Sequence, residues 1–252
     1  MILWLTCTHG RFKCLQRNLR CYLDQEHDGY SAMFICNSGK PLKLDPRIEI
    51  PENKQIYIDN CGIMNFQSVG EKYNHALKMS MSLFPHAQYI TSADDDDIFL
   101  PDHLQQGQRG IEKATDQGRC AYKPQKSYFR YRHSPEDIRV SKAENNLEPS
   151  IFVQVEWLEQ YGYAPVSVKY HQQWLDPLIE QDKILIDPEG KSTLIYNWGD
   201  TWDTYKMSGS GEDTQQNFLQ HKRRSIDMGQ GFLTPIKDNS IYYNEVKDMT
   251  DE

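Results

Sequence analysis

From Ile2 to Cys7 the chain is short, apolar and β-prone, and it ends in small hydroxyl residues and Gly10. Between Arg11 and Leu23 the apolar positions Phe12, Leu15, Leu19, Tyr22 and Leu23 recur at three or four, which predicts a helix. A second strand, Ala32 to Cys36, runs into the turn sequence Asn37-Ser38-Gly39, and Gln55 to Ile58 reads as a third. Helical spacing returns from Val69 to Leu83 and is stopped by Pro85. Gln88 to Ser92 is the next strand, and Pro101, well placed in a first turn, opens a helix to about Gln117. Strands alternating with helices predict an α/β fold, a mostly parallel sheet with helices on both faces.

After residue 118 the pattern changes. Short strands are expected around 120–131 and 151–155, and helices at Glu156–Tyr161, His171–Gln181 and Gly211 to about Arg224. No repeat and no linker divides the chain. The expectation is one domain: a nucleotide-binding half at 1–117, an acceptor-side half of mixed α+β structure at 118–237, and a polar tail at 238–252.

Composition narrows the classes. With 28 Lys and Arg against 36 Asp and Glu in 252 residues, the net charge of −8 argues against a protein that coats nucleic acid. No apolar run approaches the ~20 residues of a membrane span, and the opening run is shorter than the roughly 7–15 residues of a secretory signal. A cytoplasmic location without membrane partners is therefore expected. The six cysteines include no Cys-x-x-Cys pair, so neither a zinc ribbon nor a thioredoxin-like redox site is encoded, the eight histidines form no H-E-x-x-H pattern, which removes the common zinc hydrolases, and the thiols are expected to be reduced.

Four consecutive aspartates, Asp94 to Asp97, follow the strand that ends at Ser92. Like charges so close repel, and a hard divalent cation, Mn²⁺ or Mg²⁺, resolves the repulsion while leaving positions for phosphate and water. Ligands of open α/β sheets bind outside the carboxyl ends of strands, where this run sits. The competing reading is a solvated acidic turn ahead of a helix N-terminus.

The stretch Asp94-Asp95-Asp96-Asp97-Ile98-Phe99-Leu100-Pro101-Asp102-His103-Leu104 resembles the D-x-D-D-x-x-x-P-x-x-L signature of family-2 glycosyltransferases with the GT-A fold. Similar in order are the Thr6-to-Arg11 opening, the Cys36-to-Gly39 turn, Asn60-Cys61-Gly62, the helix around Asn74, Trp157 to Gly162, and Tyr196-Asn197-Trp198-Gly199 followed by Met207-Ser208-Gly209. The resemblance spans about residues 1–210. It implies a Rossmann-like GT-A sheet and a hexosyl or pentosyl transferase that moves sugar from a nucleoside diphosphate, with uridine the expected base, to a hydroxyl acceptor. Asp94, Asp96 and Asp97 would hold the metal. Thr6, Thr8, Arg11, Asn37, Asn60, Lys72, Asn74, Asp94 and Asp95 would face the donor. Arg11 reads equally well as a solvated side chain, and Lys72 and Asn74 as exposed helix positions.

The chain also departs from the family. The usual base-turn aspartate is Asn37, and the acidic pair expected at the start of the helix after the acceptor loop is missing from Ser167 to Leu175. His171 falls at or next to that position and is the first candidate base, since imidazole titrates near neutrality; a helix-capping role is the competing reading. Asp213 is the second candidate, although Ser210-x-x-Asp213 is also a capping pattern, and Asp200 and Asp203 follow. Residues 119–142 carry seven Lys and Arg against Glu136 and Asp137, interleaved with Tyr122, Tyr128, Phe129 and Tyr131. Arg130, Arg132 and Trp198 are the acceptor-binding candidates, and a polyanion such as DNA with modified bases would suit them. The plainer account is strand alternation, rings inward and charges outward. Two other functions stay open: a nucleotidyltransferase-like enzyme, though no Gly-rich phosphate loop is present, and a non-catalytic sugar- or nucleic-acid-binding module on the same fold.

Overall fold

A computed structural model describes residues 1–9, 11–62, 64–131, 134–141, 148–198, 225–227 and 246–248. In chain order the elements are β1 (Ile2–Thr8), α1 (Phe12–Leu23), β2 (Ser31–Asn37), β3 (Leu42–Leu44), β4 (Lys54–Asn60), α2 (Val69–Leu83) and β5 (Tyr89–Ser92). Then follow β6 (Ile98–Phe99), α3 (His103–Asp116), β7 (Ala121–Pro124), β8 (Tyr128–Tyr131), β9 (Ser134–Ser141) and a 3-10 turn at Glu148–Ser150. The chain continues with β10 (Phe152–Gln154), α4 (Val155–Tyr161), α5 (Gln172–Glu180), β11 (Ile184–Asp187), β12 (Leu194–Trp198), β13 (Ser225–Asp227) and β14 (Val246–Asp248).

Seven strands form the central sheet in the order β11-β7-β10-β5-β1-β2-β4. β4, β2, β1 and β5 pair in parallel, as do β7 and β11, and β10 runs antiparallel between β5 and β7. This is the mostly parallel α/β sheet that the alternation predicts. β1 and β2 are buried on both faces, which explains their unbroken apolar runs. Alternate residues feed two cores. Leu3, Leu5, Ala32 and Phe34 pack with Tyr73, Ala76 and Leu77 of α2, Leu158 of α4 and Leu175 and Leu178 of α5. Ile2, Trp4, Met33 and Ile35 pack with Leu15, Leu19 and Tyr22 of α1 and Leu104, Ile111 and Ala114 of α3.

Local chemistry sets the helix ends. Ser68 caps α2 by accepting from the Glu71 amide at 3.2 Å, and the Gln67 amide donates back to Glu71 Oε2 at 2.7 Å. α4 stops at Gly162, whose φ of 63° favours glycine.

A second sheet runs β13-β9-β8-β12-β6, and β14 pairs with β3. β6 lies inside the acidic motif and pairs with β12, Ile98 opposite Ile195 and Phe99 opposite Leu194, so the motif leads straight from the first sheet into the second. Rings of the basic stretch do turn inward at Tyr122 and Phe129, but Lys123 is also fully buried. Strand alternation alone therefore does not account for that stretch. Gly211–Arg224 and the polar tail from 238 lie outside the described residues, apart from β14 in the tail. Among the described residues no helix is long and apolar enough to cross a membrane.

Candidate active site

β1 is followed in the sheet by β2 on one side and β5 on the other, so the strand order reverses between β1 and β5. At such a switch point the connections diverge and leave a crevice beyond the strand ends. Thr8, the last residue of β1, and the acidic run beyond β5 meet there: Thr8 Oγ1 donates to Asp95 Oδ2 at 2.5 Å.

The run is not solvated. Asp95, Asp96 and Asp97 are buried, at 0%, 8% and 1% exposure. Arg11, at the foot of α1, pairs with Asp95 Oδ1 at 2.5 Å and with Asp96 Oδ2 at 2.8 Å. Nearly two turns further along α1, Arg17 donates to the Asp96 carbonyl at 2.5 Å, and Asn18 to that of Asp94 at 3.0 Å. Tyr73 of α2 donates its hydroxyl to Asp94 Oδ1 at 2.8 Å. Burial, and for Asp94 next the charge of Asp96, pushes Asp94 and Asp95 above the ordinary carboxylate range, against the pull of Arg11. Carboxylate oxygens of Asp94, Asp96 and Asp97 lie within 4.8 Å of one another. A six-coordinate Mg²⁺ with bonds of about 2.1 Å spaces its ligands at about 3 to 4 Å, so this donor set fits a hard divalent ion.

The other expected donor residues divide. Lys72 is buried, its Nζ donating to the Thr8 carbonyl and, at 2.8 Å, to Ser38 Oγ, so it ties α2 to the end of β1. Thr6 turns away, donating to the Ala93 carbonyl at 2.9 Å and tying β1 to the acidic loop. Asn37 and Asn60 end adjacent strands and bond each other at 2.9 Å. Asn37 also engages Lys40 O and the Gly39 amide, while Asn60 brackets the backbone of Leu42. Asn74 brackets the backbone of Tyr163 with two 2.8 Å bonds. These amides bond each other and the backbone.

His171, the first candidate base, sits at the N-terminus of α5, and burial lowers its basicity. Its Nδ1 is 3.5 Å from Glu148 Oε2. Glu148 was not singled out in the sequence. It is 4% exposed, accepts from Ser92 Oγ at 2.8 Å, and is pushed up to about 8 by burial first and by the charge of Asp94 next. Around it Tyr73 lies 5.0 Å from both Tyr163 and Tyr170. The one signal it left in the chain was a carboxylate shortly before the apolar run Ile151-Phe152-Val153. Arg130 and Trp198 lie on neighbouring parallel strands, Arg130 opposite Asn197 and Trp198 opposite Tyr131; their side chains, like Asp200, Asp203, Asp213 and Arg132 entirely, lie outside the described residues. Arg119 of the basic stretch pairs with Asp182 at 2.9 Å.

A seven-stranded sheet with one inserted antiparallel strand, and acidic side chains at its switch point, defines a GT-A-type α/β fold. No family model and no curated protein matches the chain. Solved structures share the fold. The crystal structure of S. aureus TarS 1-349 in complex with UDP-GlcNAc superposes with a TM-score of 0.57 at 10% identity, over 96% of this chain and 69% of that one. The same protein in complex with UDP gives 0.54 at 12% identity, over 79% and 60%. Against a further crystal structure of S. aureus TarS 1-349 the chain likewise spans 60% of that protein's length. At such identity the likeness is one of fold.

Proposed function

We propose that the chain is a divalent-metal-dependent glycosyltransferase that moves a sugar from a uridine diphosphate donor to a hydroxyl acceptor. The observation that carries this reading is the convergence of Asp94, Asp96 and Asp97 within 4.8 Å at the switch point of a GT-A sheet. TarS, a glycosyltransferase of that fold, has been solved with UDP and with UDP-GlcNAc, which supports a nucleotide sugar as donor. Asp94, Asp96 and Asp97 would hold Mn²⁺ or Mg²⁺, which when bound offsets the negative charge of a departing diphosphate. Thr8, Arg11 and Arg17 hold the acidic loop in place before any ligand arrives, so little reorganisation is needed. Lys72 adds a fixed positive charge at the end of β1. Burial lowers the basicity of His171, so its imidazole is neutral at pH 7 and keeps one unprotonated ring nitrogen that could take the proton of an acceptor hydroxyl.

The test is incubation with Mn²⁺ and a panel of UDP-sugars. Slow UDP release without acceptor is expected, and Asp96→Asn should abolish both that release and metal-dependent nucleotide binding. His171→Asn should keep both but lower transfer to acceptor. An Asp96→Asn protein that retained both properties would remove the metal site, and nucleotide binding with no release from any sugar would favour the binding-module reading. DNA with hydroxylated bases belongs among the acceptors, and its binding should weaken steeply with salt.

A further inference from the structure

The crevice wall formed by β2 and β4 carries a second cluster. Cys36 lies beside Asp59 in the parallel register, one residue before Asn37 and Asn60, and Cys61 follows β4 directly. α2 crosses this edge and brings His75 to it. Two thiols, an imidazole and a carboxylate thus place one ligand atom each within 4.8 Å of one another. The Cys36 and Cys61 sulfurs are 3.2 Å apart, and His75 Nε2 is 2.7 Å from Asp59 Oδ2.

We propose that Cys36, Asp59, Cys61 and His75 form a tetrahedral zinc site that clamps the carboxyl ends of β2 and β4. Zinc bonds of about 2.3 Å to sulfur and about 2.0 Å to nitrogen and oxygen require edges of about 3.8 Å between sulfurs and about 3.3 Å between nitrogen and oxygen. Each of the two short edges has only to open by about half an ångström, within reach of small side-chain rotations. Two thiolates with an imidazole select zinc over the hard ions that suit the all-aspartate cluster. Among the described residues the buried Lys72 ammonium donates to neutral acceptors, Thr8 O and Ser38 Oγ, so the negative charge of a zinc-bound thiolate pair would have a buried counter-charge on the same helix as His75. The sulfurs are buried, whereas the side chains of Asp59 and His75 are 20% and 17% exposed and open a path for the ion. The clamp would hold the Asn37–Asn60 pair, and it does not depend on the transferase reading.

The full chain should be purified, stripped with chelator and reloaded. One tightly held zinc per chain is expected by elemental analysis. Cobalt in its place should give thiolate-to-metal charge transfer in the near ultraviolet and the visible bands of a four-coordinate ion. Cys61→Ser and His75→Ala should each lose both signals, and Asp59→Asn should weaken zinc binding at least tenfold, while Asp96→Asn keeps them. Because the cobalt spectrum is read on the unaltered chain, a cysteine variant that fails to fold does not decide the matter. Absence of stoichiometric zinc, a cobalt spectrum without thiolate bands, loss of the metal in Asp96→Asn, or two oxidised thiols in a Cys36–Cys61 disulfide with no metal would each overturn the proposal.

Discussion

His103 belongs to the acidic motif, yet its side chain faces the core. Its ring lies 4.9 Å from Phe99, 4.9 Å from Phe152 and 5.6 Å from Trp4. Nδ1 is 2.8 Å from Thr193 Oγ1, and Nε2 is buried with no partner among the described residues. Burial pushes the imidazole from 6.5 down to about 3. Between those values the unfolded chain binds the proton and the folded one does not, so stability must fall as pH drops below 6.5. The loss should approach about 1.4 kcal/mol per pH unit. Urea midpoints followed from neutral pH into acid should show this slope in the natural chain and lose it in His103→Phe; equal slopes would mean the ring is not held neutral. Residue by residue, the acidic run was legible because four like charges in sequence need an explanation wherever they fold. Glu148 was not, because an isolated carboxylate acquires meaning only from what surrounds it.

At the scale of elements, α2 was readable from end to end. Its apolar spacing, the Ser68–Glu71 cap and Pro85 are all local, and the expected Val69–Leu83 span is the observed one. β3, β6, β11 and β12 were not expected. They are two to five residues long and become strands through distant partners, as Ile98–Phe99 does against β12. α3 shows a tertiary requirement written as an apparent local fault: two glycines within a helix. A Cβ on Gly107 would lie 2.2 Å from the Phe152 ring, and one on Gly110 2.3 Å from that of Tyr122. Helix propensity alone favours alanine there by about 1 kcal/mol. Overpacking should prevail, so Gly110→Ala is expected to destabilise by about 1–3 kcal/mol in urea unfolding; a stabilised variant would show that the ring moves aside freely.

For the whole molecule, the consequence of the fold is linkage between the acidic crevice and global stability. If Asp94–Asp97 receive metal and nucleotide together, Mn²⁺ with UDP at a hundredfold over Kd should stabilise the chain by about 2.7 kcal/mol, while UDP alone stabilises it far less. Thermal unfolding measures this, and equal shifts with and without Mn²⁺ would detach the nucleotide from the carboxylates. The alternation of strands and helices, the ends of the longer helices and the acidic run at a strand's carboxyl end follow from the order of residues alone, because periodicity, capping and like-charge repulsion act over a few positions. Sheet order could not be read the same way. The antiparallel entry of β10, the switch point between β1 and β5, the meeting of Glu148 with His171, and the convergence of Cys36, Asp59, Cys61 and His75 join residues up to tens of positions apart. Such contacts depend on which buried faces pack together, and that competition is resolved only when the whole core forms.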